Sequence, residues 1–230
     1  MSNLKPSRYS KSPTAYDNRD FFEANLLDFA LKSDKSTMEM PFFSLSTKPD
    51  LRPFEWSSQD GLCSIKIIPS TMGRATQLDK DVLIYLISQY KTAENWNRKD
   101  ISRRIRFVVH HYLKATKKNT SGREYTRLEN ALLRLRGTTI TTNIKTGGVE
   151  FKQGFGLIES WKIIEKPDSS SKMIAVEVVL SEWLYNAIQS HDVLKLNSEY
   201  FQIRSPLERR IYEIARKHTG HQSKWIIGLA

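Results

Sequence analysis

The segment from Ser121 to Arg136 constrains the fold more strongly than any other part of this sequence. Its leucines recur with the spacing of one helical face and predict a stripe packed against a core; they are Leu128, Leu132 and Leu135. A second row, at offsets 0, 4, 7 and 11, is basic or amide-bearing and consists of Arg123, Arg127, Asn130 and Arg134. Gly137 then ends the helix and Thr138 begins a β-rich stretch. We therefore expect a helix with one core face and one basic face.

The start of this helix is also encoded locally. Ser121 and Glu124 have the S-x-x-E spacing of a capping box, in which each side chain bonds to the other residue's backbone N–H. On the basic face, arginine can pair with phosphate or guanine, and asparagine can pair with adenine. The basic row therefore indicates DNA contact, although most charge runs are simply solvated faces.

The positive charge of the chain is concentrated around this helix. The whole sequence has 36 Lys and Arg against 25 Asp and Glu, a net charge of +11. Residues 98–136 hold twelve of the basic residues and three of the acidic ones, which leaves +9 in 39 residues. Such a surface favours a polyanionic partner. Arg103, Arg104 and Arg136 in this stretch are therefore further candidate DNA contacts.

The order of predicted elements favours a winged helix-turn-helix within an α+β chain. Helical patterns cover 79–92, 100–116 and 121–136, after an earlier helix at 20–31. β-rich runs follow, with a hairpin turn predicted at 146–148 and a surface loop at 166–172. Three helices followed by a hairpin wing place the third helix and the wing against DNA. Lys145, near the hairpin tip, is accordingly a candidate phosphate contact.

A second well-defined helix is predicted to run up to Gly220. Ser205 caps it, Pro206 occupies its first position and Glu208 completes a capping box. Its predicted core stripe consists of Leu207, Ile211 and Ile214, and the basic side chains beside that stripe include Arg209 and Arg210. These two arginines are candidate DNA contacts, but for this helix alone a solvated amphipathic helix is favoured.

Other features exclude several classes of protein. Cys63 is the only cysteine, so no internal disulfide can form. No Walker motif occurs, and the adjacent His110 and His111 point about 100° apart on a helix, which does not favour a metal site. Asp79 and Asp81 are interpreted as first-turn acids that suit the helix dipole. We expect a non-enzymatic cytoplasmic protein without cofactor, metal or membrane span.

From residue 20 onward the sequence resembles the bacterial plasmid replication initiator protein A family, a group of winged-helix initiators. The matching stretches are long and in the expected order. They are MEMPFFSLSTKPDLR at 38–52, ATQLDKDVLIYLISQ at 75–89, SGREYTRLENALLRLRGTTITTNIKTGG at 121–148, GFGLIESWKI at 154–163, VEVVLSEWLYNAI at 176–188 and RSPLERRIYEIARKHTG at 204–220.

The resemblance implies a plasmid replication initiator that binds repeated sequences, called iterons, in double-stranded origin DNA and regulates its own gene. The implied partners are a second copy of the chain and the host replicative helicase or other initiation proteins. The implied organisation is a disordered tail at 1–18, a first winged-helix domain with extra strands at 19–195, and the start of a second at 196–230. Because family members continue further, we expect a tandem arrangement whose second domain is incomplete.

Two other functions use some of the same features. A transcriptional repressor with a winged-helix fold would bind DNA without starting replication. A nicking enzyme or relaxase would cleave DNA with a metal ion, but the His-x-His pair of relaxase-type nucleases is absent from the sequence. The DNA-binding prediction follows from the residues themselves, whereas the prediction of an initiator follows from the resemblance.

Overall fold

The computed structural model describes residues 21–145, 154–165, 173–220, 222 and 224–226. The expected tail at 1–18, the hairpin turn at 146–148 and the loop at 166–172 lie outside these residues. In chain order the elements are β1 (Phe22–Glu23), β2 (Lys32–Asp34), α1 (Lys35–Glu39), β3 (Phe54–Ser57), β4 (Ser64–Ile68), α2 (Lys80–Asn95), β5 (Arg104–Val108), α3 (Val109–Ala115), α4 (Gly122–Gly137), β6 (Thr139–Thr142), β7 (Ile158–Glu165), β8 (Met173–Leu180), α5 (Glu182–Gln189), β9 (Val193–Lys195), a 3-10 turn (Tyr200–Gln202) and α6 (Pro206–Thr219).

The described strands form three small sheets. Their orders are β1-β5-β8-β7, β3-β4-β6 and β2-β9. In the first sheet β5 pairs antiparallel with β8, and β8 pairs antiparallel with β7. Strand β8 therefore lies between β5 and β7, both of which precede it in the sequence. Along the chain this sheet is interleaved with helices in the order α2, β5, α3, α4, β7, β8.

Helix α2 lies at the centre of the fold. Every residue from Lys80 to Ala93 is buried, as expected of a helix that other elements surround on all sides. Tyr85 makes edge-to-face contacts with the rings of Phe29, Phe107 and Tyr112. These contacts join α2 to β5 and α3, so the central helix holds the elements that precede α4.

The prediction of a helix at 20–31 is wrong. Phe22 instead begins the short strand β1, which pairs in parallel with β5. Further along, the backbone N–H and C=O of Leu26 are each bonded to the side-chain amide of Gln89, at 2.9 Å. Contacts with β5 and α2 thus hold Phe22 and Leu26 in place of the hydrogen bonds of a local helix, whereas Leu27 is 88% exposed.

The helix predicted at 100–116 is wrong in its first half. Residues 104–108 form strand β5, and helix α3 starts only at Val109. In β5 the buried side chains of Ile105 and Phe107 alternate with arginines that point to the other face. The period of two in this short run resembles part of a helical period, which is a common ambiguity in short apolar runs.

The predicted core stripe of α6 is reversed. Its cap is confirmed, because Ser205 Oγ accepts a hydrogen bond from the Glu208 N–H at 3.4 Å. Leu207 and Ile211, however, are 55% and 58% exposed, whereas two charged residues of the same helix are buried: Arg209 at 3% and Glu213 at 0%. The reason is that α2 presents charged partners to this helix: Asp81 pairs with Arg209, and Lys80 pairs with Glu213.

A second hydrophobic cluster joins α6 and its approach to the rest of the chain. It contains Leu31, Met38 and Ile84 together with Leu196, Tyr200 and Phe201. Residues on both sides of the expected boundary at 195–196 therefore pack together, and the division into two domains stays a prediction. None of the helices in the described ranges is long and apolar enough to cross a membrane.

Candidate nucleic-acid interface

Helix α4 has the predicted core face. Leu128, Leu132 and Leu135 are buried together with Ala131, which anchors the helix along its whole length. At its end Gly137 lies so close to Ser70 that an added Cβ would stand 2.7 Å from the serine Cβ. The glycine therefore lets α4 pass directly beside the strand-linking segment at Ser70.

The capping box predicted at the start of α4 does not form. Ser121 makes no side-chain bond to the first turn, and its hydroxyl donates to Asn119 Oδ1 at 2.6 Å. Glu124 is buried and pairs with Arg127 one turn further along the helix. The carboxylate is thus used to neutralise part of the basic row.

The basic row of α4 lies on the flank of its exposed surface, between solvent and a cleft. Arg123 and Arg127 are exposed, whereas Asn130 and Arg134 are half-buried. Arg134 is held by Asp79 through two hydrogen bonds of 2.7 Å, and these bonds raise the pKa of its guanidinium. The four residues therefore share a side of the helix, but only the first two are open to solvent.

The cleft is a cavity of about 520 Å³ beside α4. It is bounded by residues 46–49, by the start of α2 and by the approach to α6. Its cationic lining residues are Lys48, Lys118, Arg127, Arg134, Arg204 and Arg209, and its anionic ones are Asp79, Asp81 and Glu124. Cations outnumber carboxylates in this lining, so the cleft favours an anion over a cation.

Asp81 is the most buried carboxylate of the cleft. It pairs with Lys118, which follows α3, and with Arg209 of α6. Burial alone would lower the pKa of Lys118, but the neighbouring Tyr112 and Asp81 raise it above its usual range. Asp79 and Asp81 therefore do more than suit a helix dipole, since both hold cations from other elements. Within the described part of the chain, no group of three or more His, Cys, Asp or Glu could hold a metal ion.

The remaining candidates from the basic stretch lie apart from the cleft. Arg103 pairs with Glu159 at 2.7 Å, and Arg104 pairs with Glu177 at 3.1 Å, both on the four-stranded sheet. Arg136 lies on the opposite flank of α4, is exposed and has no ion pair among the residues described. Lys145, at the edge of a described range, is also exposed.

The two candidate arginines of α6 hold that helix in place. Arg209 donates from Nε to the Ile203 carbonyl at 2.6 Å, in addition to its pair with Asp81. Arg210 donates to the carbonyls of Met38 and Glu39 at 2.8 and 2.5 Å. Because Arg209 is buried, its guanidinium cannot reach DNA unless α6 moves.

Two exposed cations of the cleft were not among the predicted contacts: Lys48 and Arg204. No local pattern could have identified them, because they lie 156 positions apart in the sequence and only the fold places them around one cavity. The charged run Asp79-Lys80-Asp81 did carry a signal. Three consecutive charges at the start of an apolar helix are costly to bury unless each has a partner, and each one has.

Comparison with known proteins identifies the family of this chain. The profile of the family described as Replication initiator protein A matches residues 32–230. A protein of Wigglesworthia glossinidia brevipalpis described as "Putative replication protein" is 41% identical over 207 residues, which are 89% of this chain and 74% of that protein.

A solved structure is similar as well. The crystal structure of domains 2 and 3 of RctB, determined on selenomethionine derivatives, matches with a TM-score of 0.58 and 11% sequence identity. The match covers 82% of this chain and 71% of that one. At this identity the similarity bears on the fold alone, and the expected mixed α+β fold is confirmed.

Proposed function

The chain belongs to the replication initiator protein A family, and we propose that it initiates plasmid replication by binding iteron repeats in double-stranded origin DNA. A replication role is what the family and the Wigglesworthia relative have in common. The finer parts of the proposal are the kind of DNA, the binding surface and the partners. Each rests on the arguments that follow.

The element order supports a winged helix-turn-helix as the binding unit. Helix α2, strand β5, helices α3 and α4, strand β6 and the antiparallel strands β7 and β8 follow one another. Strand β8 lies between β5 and β7, whereas β6 pairs with β4. In winged-helix proteins the third helix of such a unit is the one that faces DNA. That helix is α4, which carries the basic row.

The main support for the proposal is the set of exposed arginines on the surface of α4. Its core face is buried along four residues, so the helix is a rigid support. Arg123 and Arg136 are exposed, and neither has an ion pair in the described ranges. Arg127 is 56% exposed, whereas its partner Glu124 is only 7% exposed. Because a buried carboxylate is costly to leave unpaired, Arg127 would contact a phosphate from its exposed side while it stays paired with Glu124.

A salt-titrated shift assay on a duplex with the origin repeats tests this surface. We expect the slope of log K against log salt to fall by about 0.9 for each phosphate contact removed. The variant is Arg123→Ala with Arg127→Ala, and Lys195→Ala on β9 is the control, because Lys195 is exposed and does not line the cleft. Equal slopes for the double variant and the unmodified chain would contradict the assignment of α4.

Plasmid maintenance in cells and footprinting on the repeats together distinguish an initiator from a repressor. An initiator maintains a plasmid in cells and protects several repeats in a footprint. A repressor without initiator activity protects its site but does not maintain the plasmid. We also propose that the chain acts by binding rather than by catalysis, so supercoiled DNA incubated with the protein and Mg²⁺ should stay uncut.

Partners and location complete the proposal. We expect a homodimer at high protein concentration, contact with the host replicative helicase at the origin, and a cytoplasmic location. Autoregulation follows if a repeat overlaps the promoter of the gene. Sedimentation of the free chain and co-purification with helicase on origin DNA are the corresponding measurements.

A further inference from the structure

Two cations of the cleft differ from the other four, because neither has a carboxylate partner among the described residues. Lys118 and Arg209 pair with Asp81, Arg134 pairs with Asp79, and Arg127 pairs with Glu124. Lys48 and Arg204 are exposed, and neither makes an ion pair with any residue that the structure describes. Lys48 and Arg204 therefore carry two of the three excess positive charges of the cleft, and the third arises because Asp81 pairs with both Lys118 and Arg209.

The backbone around Lys48 is firmly held. The Lys48 N–H bonds to Ser46 Oγ at 3.1 Å, and the Ser46 N–H bonds to Ser44 Oγ at 3.2 Å. Ser44 is in turn fixed to Asp50 and to the backbone of Gln77. Lys48 therefore projects from a loop whose backbone is held by hydrogen bonds, so less backbone entropy is lost when its ammonium group binds an anion.

The backbone around Arg204 is equally constrained. The carbonyl of Ile203 accepts from Arg209 Nε at 2.6 Å, and the Ile203 N–H bonds to Tyr200 at 3.1 Å. On the other side Ser205 is the cap of α6. Arg204 thus stands between two fixed residues at the rim of the cleft, where its guanidinium can take a phosphate with two hydrogen bonds.

The geometry points to a DNA backbone phosphate as the ligand of this cleft, bound by Lys48 and Arg204 while α4 faces the major groove. The inference rests on the proposed function. A helix with its side chains is about 10–12 Å across and the major groove is about 12 Å wide. A helix seated there is consequently flanked by a phosphate backbone on each side. The cleft runs along one flank of α4, so a flanking backbone would meet its rim.

The carboxylates of the cleft explain why the paired cations do not suffice. Asp79 and Asp81 are 5% and 1% exposed, and their two charges offset two of the three cations with which they pair. A phosphate entering the cleft therefore gains little from Arg134 or Arg209. Most of the attraction comes from the two unpaired side chains, which makes each of them a separate contact.

The test is a salt-titrated shift assay with Lys48→Ala, Arg204→Ala and the double variant. We expect each single variant to bind roughly five- to tenfold more weakly near 0.1 M salt and to lose about one unit of salt slope. The loss should be equal on origin repeats and on unrelated duplex DNA, because a phosphate contact carries no sequence information. Arg204→Lys should retain most of the slope, and Lys195→Ala should be unchanged.

The outcomes separate this inference from the proposed function. If the α4 variant loses slope and the Lys48 and Arg204 variants do not, the cleft proposal is overturned while DNA binding through α4 stands. If the unmodified chain shows no salt-dependent DNA binding, both are overturned. Binding of inorganic pyrophosphate that depends on Arg204, with DNA affinity unaltered in the variants, would also overturn the assignment to DNA. Both side chains are exposed, so the variants should melt at the temperature of the unmodified chain.

Discussion

Arg134 and Asp79 form a two-point ion pair that fixes α4 to the start of α2. Both hydrogen bonds, Nε to Oδ2 and Nη2 to Oδ1, are 2.7 Å long. The next two residues continue the pattern, because Lys80 pairs with Glu213 and Asp81 pairs with Arg209. Asp79, which precedes α2, and the first two residues of α2 thus hold two other helices, and the position of α6 is tied to that of α4.

The first prediction separates stability from DNA binding on α4. Arg134→Ala leaves the carboxylate of Asp79, which is 5% exposed, without its partner, and breaking such a pair costs about 3 kcal/mol. We expect this loss in the free energy of unfolding measured with urea, together with an unchanged salt slope for DNA. Arg123→Ala is the matched comparison and should give the reverse result. A large change in salt slope for Arg134→Ala would show that its guanidinium leaves Asp79 to reach DNA.

The second prediction concerns the buried pair between α2 and α6. Lys80 and Glu213 are both fully buried, with 2.7 Å between Nζ and Oε2, and Glu213 also accepts from the Tyr200 hydroxyl at 2.5 Å. Glu213→Gln leaves a buried ammonium without a counter-charge, so we expect a loss of about 3–5 kcal/mol in urea denaturation.

The control for this pair removes both charges. Lys80→Met with Glu213→Leu replaces the ions by apolar side chains of similar size, which is often neutral or stabilising. The double variant should therefore be more stable than Glu213→Gln alone. Equal instability of the two would mean that the packing of α6, rather than the unpaired charge, dominates the loss.

The core face of α4 could be predicted from the sequence, whereas the ion-pair partners of its charged side chains could not. Leu128, Leu132 and Leu135 lie within one helix, so their spacing alone defines the buried side. The partner of Arg134 lies 55 positions away, and no local pattern reports it. The net charge of residues 98–136 therefore overstates how many of these cations are open to an external anion, because some of them, such as Arg134, are paired with carboxylates.

Local patterns failed in a different way at β5 and α6. The alternation around Ile105 is too short to exclude a helix until its pairing with β8 is known. In α6 the apolar stripe was predicted to face the core, but buried charges on α2 attract Arg209 and Glu213 instead. Pairing between distant segments decided both cases, so a single sequence could not.

The third prediction uses the reversed face of α6. Because Leu207 and Ile211 are more than half exposed, Leu207→Ser and Ile211→Ser should each change the free energy of unfolding by less than about 0.5 kcal/mol. Leu132→Ala in α4, a fully buried position, should cost about 2–5 kcal/mol in the same urea measurements. Losses of that size at Leu207 would show that the stripe is buried in solution.

The fourth prediction is a pH dependence centred on Glu177 in β8. Its carboxylate receives hydrogen bonds from Arg104 and Arg106 of the neighbouring strand β5. Burial alone would raise the pKa of Glu177, but the hydrogen bonds and charges of the two arginines outweigh burial and lower it below its usual value. The folded state therefore binds this proton less tightly than the unfolded chain does.

An acid whose pKa is lowered on folding stabilises the protein above the pKa of its unfolded form, and this contribution is lost as the pH falls through the folded value. The unmodified chain should therefore lose stability on acidification below about pH 4.5, near the pKa of a free glutamate. Glu177→Gln should be less stable at neutral pH, and its urea midpoint should vary less with pH in that acid range. Glu159→Gln is the control, because its pair with Arg103 is exposed to solvent and should contribute little. If the stability of Glu177→Gln fell on acidification as much as that of the unmodified chain, other carboxylates would be responsible for the loss of stability in acid.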